Sequence, residues 1–339
     1  MIDLSTDYLG LRLANPLVPS ASPLSRDLDM ARRLEDAGAS ALVMYSLFEE
    51  TIAASEEAAV RFFHEQEIGF GEADSFRPVP TDHEYRSELD DYLEQLTTLK
   101  RSLSIPVIAS LNGISEDGWV RHGRQLQEAG ADALELNVYY VAADPFETGA
   151  AVESRYAALL HQLKQAVDIP ITMKLSSQFS SVGHLVRELE AAGAQGVALF
   201  NRFYQPDIDL ETREVTPTLT LSSPYESLLR VHWVAALHGR DDLSLAVTGG
   251  IHSAEDALKA LMAGADVTHL CSVLLKEGPE ALERIRTDML RWLEEHEYAS
   301  VQQLKGCVSR QHAIDPTAYD RANYVKVMDR HRCPDGVWR

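Results

Sequence analysis

One phrase recurs four times along this chain: Asp36–Ala37–Gly38–Ala39, Glu128–Ala129–Gly130–Ala131, Ala191–Ala192–Gly193–Ala194 and Met262–Ala263–Gly264–Ala265. Each copy closes an amphipathic stretch. Each is followed within two or three residues by a short apolar run: Ala41–Tyr45, Ala133–Val138, Gly196–Phe200 and Val267–Cys271. A glycine just past the last helical residue supplies the left-handed turn that ends a helix. A short apolar run straight after it reads as a buried parallel strand. The phrase is therefore a helix-to-strand joint.

A second series of apolar runs lies between the joints: Pro16–Ser20, Ile105–Leu111, Ile169–Leu175 and Leu243–Thr248. Three of them carry a proline near the start, where its missing N–H costs no ladder bond. The two series interleave into eight strands, with helical pattern between most of them. Eight such units in a chain of 339 residues predict an α/β fold of (β/α)8 TIM-barrel type. The competing architecture is an open doubly wound sheet. No GxGxxG fingerprint follows the first strand to support it.

No linker rich in Pro, Gly or Ser divides the chain. The prediction is one barrel domain over 1–339, ending in a C-terminal tail at 306–339. One segment breaks the rhythm, an acidic insertion after strand two placed at 46–102. Phe62, Phe63, Phe70 and Phe76 are scattered through it. On the catalytic face of a barrel such an excursion is a lid, an oligomer contact or a solvated loop with its own helices.

The formal net charge of −21 argues against nucleic acid and against anionic membrane surfaces, since both need a basic footprint. No apolar run approaches the roughly 20 residues of a membrane span. The first residues lack the pattern of a signal peptide. The three cysteines, Cys271, Cys307 and Cys333, form no zinc, iron–sulfur or disulfide spacing, and the expected setting is a reducing cytoplasm. No metal site is expected.

Chemistry in a barrel collects at the C-terminal ends of the strands. Those ends read Ser20 and Ser22, Ser46, Asn112, Asn137, Lys174, Asn201, Thr248–Gly249–Gly250, and Cys271–Ser272. Two glycines let a backbone approach an anion closely, and the helix that follows offers N–H groups. The edge formed by strands seven and eight is the usual phosphate site of this fold. The bland reading is that Gly249–Gly250 only turns a tight loop. His252, at the start of the next helix, either donates to the phosphate or caps the helix.

Lys174 ends a buried strand and needs an anionic partner. It suits three roles: Schiff-base nucleophile, structural ion pair, or cation opposite a reduced flavin, whose potential a fixed positive charge raises. Asn137 and Asn201 offer donors and acceptors to an amide-rich ring. Alternatively, loop backbone satisfies them.

These residues also carry a resemblance. Asn15-Pro16-Leu17, Pro106-Val107-Ile108-Ala109-Ser110, Ala129-Gly130-Ala131-Asp132-Ala133-Leu134-Glu135-Leu136-Asn137, Met173-Lys174-Leu175, Thr248-Gly249-Gly250-Ile251 and Lys276-Glu277-Gly278-Pro279 resemble class 1 dihydroorotate dehydrogenases. The likeness runs from Leu9 to about Lys305. That family is a flavin mononucleotide (FMN) barrel of pyrimidine biosynthesis that oxidises a dihydropyrimidine to orotate. The resemblance implies that Gly249, Gly250, Cys271 and Ser272 hold the flavin phosphate. It puts Lys174 at the N1–O2 edge of the ring, Asn137 and Asn201 near ring and substrate, and Ser20 and Ala21 under the ring. It also implies a homodimer.

Three departures stand out. The family's lysine at the end of strand two is absent; the stretch reads Val43-Met44-Tyr45-Ser46, and no lysine precedes Lys100. The family's Ser-Cys-Pro-Asn after the strand-four asparagine, which carries the class 1 base, is here Val138-Tyr139-Tyr140-Val141. Arg202 replaces the usual serine after Asn201. The segments Asn201-Arg202-Phe203-Tyr204-Gln205-Pro206-Asp207-Ile208-Asp209 and Ser46-Leu47-Phe48-Glu49-Glu50 resemble the divergent subgroup called dihydroorotate dehydrogenase-like.

The catalytic residue is thus open, with Tyr140 and Arg202 the candidates. Arg202 is expected either to bind a substrate carboxylate or to pair with Asp207 or Asp209. The expected function is FMN-dependent CH–CH oxidation of a small anionic substrate, with electrons passed to a soluble acceptor or a partner protein. The alternatives are a flavin-binding protein without turnover, and a Schiff-base aldolase-type barrel using Lys174.

Overall fold

A computed structural model describes residues 2–55, 87–113, 116–202, 205–216, 218–239, 243–313 and 316. All four joints adopt one geometry. Gly38, Gly130, Gly193 and Gly264 have φ of +104°, +100°, +106° and +120°. The N–H of the following alanine reaches back to the preceding helix. Ala39, Ala131, Ala194 and Ala265 bond Leu34 O, Leu126 O, Leu189 O and Ala260 O at 2.9–3.1 Å. This is the six-to-one bond that satisfies an orphan helical carbonyl.

The next residue enters the sheet. Asp132 N, Gln195 N and Asp266 N donate to Val107 O, Ile171 O and Leu245 O. Their side chains in turn accept from Val107 N, Ile171 N and Leu245 N at 2.7–2.8 Å. Each joint therefore ends a helix and sets the register of its strand against a neighbour.

The chain opens with an antiparallel pair, β1 (Thr6–Tyr8) and β2 (Leu11–Leu13). The barrel strands follow: β3 (Leu17–Pro19), β4 (Leu42–Phe48), β5 (Val107–Asn112), β6 (Ala133–Asn137), β7 (Ile171–Leu175) and β8 (Gly196–Leu199). A second antiparallel pair, β9 (Asp207–Asp209) and β10 (Glu214–Thr216), rises from the loop after β8. The last barrel strands are β11 (Ser244–Thr248) and β12 (Val267–Leu270). The eight barrel strands form one parallel sheet, ordered β3-β12-β11-β8-β7-β6-β5-β4. Its two ends meet where Ser40 N and Oγ both donate to Leu17 O, at 3.1 and 3.0 Å. The predicted barrel is the observed one, and all eight predicted runs are strands.

Side chains alternate across a strand, so the barrel has two apolar regions. The larger lies between strands and helices. The smaller fills the barrel's lower interior with Val18, Val43, Ile108, Ala133, Ala198, Ala246 and Val267, plugged by Tyr8, Leu9 and Leu13 of the first hairpin. Neither hairpin has a helix-to-strand joint to announce it in the sequence.

The insertion expected at 46–102 is narrower than that. β4 continues to Phe48, because residues past Tyr45 pair with Ser110, Leu111 and Asn112 after an irregularity in register. Glu88–Ser102 is an ordinary barrel helix with a Ser87–Asp90 capping box, burying Leu89, Tyr92, Leu96 and Leu99. The four insertion phenylalanines lie outside the described residues, as does most of the tail expected at 306–339.

Candidate active site

Above the apolar plug the barrel interior turns polar. Glu135 and Asn137 sit on β6, Thr172 and Lys174 on β7, and His269 on β12; all are buried. Register brings them together, since Glu135 pairs with Thr172 and Asn137 with Lys174. Lys174 Nζ donates to Glu135 Oε1 at 3.3 Å. The side chains are 8% and 0% exposed, so this is the anionic partner the sequence requires for Lys174. The Glu135 position was readable as a charge inside an apolar strand, but its meeting with Lys174 depends on register.

A cavity of about 340 Å³ opens over this floor. Ser20, Ala21, Lys174, Asn201, Arg202, Gly249, Gly250, Cys271 and Ser272 all line it. Asn137 stands just behind, its Oδ1 accepting from Asn201 Nδ2 at 2.7 Å. Each asparagine thus has a side-chain partner in the other. Burial pushes the Cys271 thiol above its ordinary range, against the lowering influence of Lys174 and Arg202.

One end of the cavity is a cradle of small polar groups. Ser222 Oγ donates to Ser272 Oγ at 2.8 Å and meets His252 Nε2 at 3.1 Å. Gly250 N points at the same hydroxyl, at 3.4 Å. Lys276 Nζ lies beside it, donating to Ser222 O at 3.3 Å. Gly249 and Gly250 have φ of +95° and +84°. A Cβ on Gly250 would sit 2.3 Å from Ser227 N, so only glycine fits there.

Behind Gly249 lies Arg230, buried, donating to Thr248 O, Glu226 O and Phe200 O at 3.0, 2.6 and 3.4 Å. Ser222, Arg230 and Lys276 are site residues that strand-end reasoning does not reach, because loop and helix deliver them. The following helix, Ala254–Ala263, is less available to an anion than expected. Asp256 Oδ2 already accepts from His252 N and Ser253 N, both at 3.0 Å.

The two catalytic candidates are committed elsewhere. Tyr140 is not among the cavity-lining residues. Its hydroxyl donates to Glu147 Oε2 at 2.6 Å, and Arg155 stacks on its ring at 4.5 Å. Arg202 does line the cavity, but Glu226 grips it at 3.0 and 3.3 Å and Thr220 O accepts from it. It pairs with Glu226 rather than with Asp207 or Asp209.

Eight parallel strands in one closed sheet, with paired glycines at the β11–β12 edge and a buried lysine on β7, define the class of (β/α)8 barrels. Within that class this chain belongs to the dihydroorotate dehydrogenase family, whose family model matches residues 85–293. It is 27% identical to the catalytic subunit of dihydroorotate dehydrogenase B (NAD(+)) of Thermoplasma acidophilum, over 91% of this chain and all of that protein. The corresponding subunit of Listeria innocua is 24% identical over 89% of this chain and 97% of its own length. A putative dihydroorotate dehydrogenase A (fumarate) of Aeropyrum pernix is 31% identical over 61% of this chain and 69% of its own length.

Proposed function

We propose that this chain is an FMN-dependent oxidoreductase built as one barrel domain, acting on a small, polar, anionic CH–CH substrate. The observation that carries this reading is the pairing, in one cavity, of the Gly249–Gly250 cradle with Lys174 at the floor. The donor set fits FMN. Gly250 N, the Ser222 and Ser272 hydroxyls and Lys276 suit a phosphate. The buried Lys174 suits the pyrimidine edge of the ring, and the Asn137–Asn201 pair suits its amide groups. The volume lies at the lower end of the range for small-molecule sites.

Bound there, FMN would supply a hydride acceptor. The chain's own part would be to anchor the phosphate, to offer the Lys174 charge to the pyrimidine edge of the ring and to present Asn201 at the cavity edge. The Tyr140 hydroxyl, given to Glu147, is a poor candidate for the proton acceptor that the class 1 cysteine provides. That commitment favours a second reading, a flavoprotein that does not turn over dihydroorotate. The aldolase reading is weaker, because a Schiff-base nucleophile must be a free amine and Lys174 lies against a carboxylate.

Electrons need an outlet. No helix among the described residues is long and apolar enough to cross a membrane. The relatives' names point to NAD(+) or fumarate, and we propose a separate acceptor of that kind, or a partner subunit, for this chain. A homodimer is part of the same reading, to be tested by light scattering.

The deciding experiment is the visible spectrum of the purified protein before and after anaerobic addition of dihydroorotate. A yellow protein that bleaches supports the parent activity. One that stays oxidised supports the divergent reading. A colourless protein that cannot be loaded with FMN overturns the flavin assignment.

A further inference from the structure

Among the described residues, the buried side-chain atoms without a hydrogen-bond partner include three that meet at the barrel floor: Glu135 Oε2 and both ring nitrogens of His269. Buried polar groups are nearly always paired, so a concentration of unpaired ones marks a place that does something.

His269 is the centre of this group. It is 1% exposed yet lines the cavity floor. Its Nδ1 stands 3.7 Å from Glu135 Oε2, and the edge of its ring meets Tyr8, with centroids 6.0 Å apart. Glu135 therefore lies between two groups, with Oε1 toward Lys174 and Oε2 toward His269. A fully buried carboxylate with one contact at 3.3 Å is under-satisfied, and the imidazole is the adjacent donor for its second oxygen.

We propose that His269 is a positioning residue for Lys174: by turning an Nδ1–H dipole toward the second oxygen of Glu135, 3.7 Å away, it sets how much of the lysine's charge remains for an anionic group bound above it. This rests on the flavin reading. Burial pushes His269 down to about 4, against the raising effect of Glu135, so the ring is neutral near pH 7. A neutral imidazole has one N–H to place. On Nδ1 it shares the load of Glu135. On Nε2 it leaves the carboxylate to Lys174 alone. Tyr8 faces the ring from β1, and Cys271 follows it at the end of β12.

The test uses the FMN-loaded protein, equilibrated anaerobically with a reference dye. Glu135→Gln should shift the ratio of reduced to oxidised flavin about tenfold toward reduced at a fixed potential, which is 29.6 mV for a two-electron couple. His269→Leu should shift it a similar amount the other way, and His269→Gln, which keeps a donor, should lie between His269→Leu and wild type. Yellow variants whose ratios all stay within twofold of wild type overturn the proposal.

A second readout needs no flavin. In ¹⁵N-histidine NMR of the wild type, the His269 signals, assigned by their loss in His269→Gln, should report the Nδ1–H tautomer and should move in Glu135→Gln. An Nε2–H tautomer that ignores Glu135→Gln overturns the proposal. The predicted tautomer in a protein that takes up no FMN sustains the Glu135–His269 coupling and overturns only the flavin reading.

Discussion

Asn201 Nδ2 donates to Asn137 Oδ1 at 2.7 Å, tying the end of β8 to the end of β6 across the mouth of the barrel. Between them runs β7, with Lys174 in register with Asn137 on one side and Ala198 on the other. The amide pair therefore spans the strand that carries the lysine. Asn137→Ala removes the acceptor and leaves the Asn201 amide turned on an empty position. The expected cost is about 1 kcal/mol of stability. FMN affinity should weaken roughly fivefold to tenfold. Fluorescence titration of the apoprotein with FMN measures it; unchanged affinity would remove the pair from the site.

The glycine cradle should respond to substitution in a graded way. A Cβ on Gly249 meets the Arg230 guanidinium at 3.2 Å, a side chain with some room to give, whereas on Gly250 it meets the Ser227 backbone. Both positions also hold φ in the left-handed region, which costs any other residue roughly 1–3 kcal/mol. Gly250→Ala is expected to purify without flavin and Gly249→Ala with a reduced load. The ratio of flavin to protein absorbance checks this. Equal, full loading of both variants would contradict the cradle.

Arg230 acts from behind that loop. Its guanidinium gathers carbonyls from the ends of β8 and β11 and from Glu226. Arg230→Met strands two buried acceptors, Thr248 O and Phe200 O, and leaves Glu226 to Arg202 alone. Unpaired buried groups cost about 1–3 kcal/mol each, partly relieved by relaxation, so a loss of roughly 2–4 kcal/mol is expected in urea unfolding. Arg230→Lys should recover less than half, since an ammonium lacks the planar fork.

Tyr140→Phe should leave any turnover within twofold of wild type. The lost hydroxyl serves Glu147, whose carboxyl that bond holds below its ordinary range, with Arg155 adding to the effect. Steady-state rates with the best substrate found decide it. A drop of a hundredfold or more would return Tyr140 to the role of base.

The barrel was legible because its joints are chemical. A glycine at positive φ, an alanine that reaches back, and a polar residue that clips the next strand are all written in local sequence. The strand-end ring was legible for the same reason, and nine of its predicted residues meet in one cavity. What local sequence withholds is pairing at a distance. Glu135 looks like an intruder in an apolar run until register sets Lys174 beside it. Ser222 lies 50 residues from Ser272, and no strand period connects them. Arg202 has Asp207 and Asp209 a few residues away in its own loop, yet it pairs with Glu226 from the turn preceding the helix Ser227–Leu237.

Acid should destabilise the fold earlier than its carboxylates alone would suggest. Burial holds His238, His252 and His269 below the ordinary histidine range, His269 down to about 4. Unfolded imidazoles take up protons near pH 6.5. Between there and about pH 4 the unfolded chain binds more protons than the folded one. The His269 contribution is therefore complete above pH 6.5 and is lost as pH falls through that window. One proton's difference amounts to about 1.4 kcal/mol per pH unit. Urea unfolding between pH 7.5 and pH 5 should show stability falling with acid, and His269→Gln should flatten the slope by up to that amount. Parallel curves for the two proteins would mean that His269 is not held neutral, and would take the imidazole out of the barrel floor.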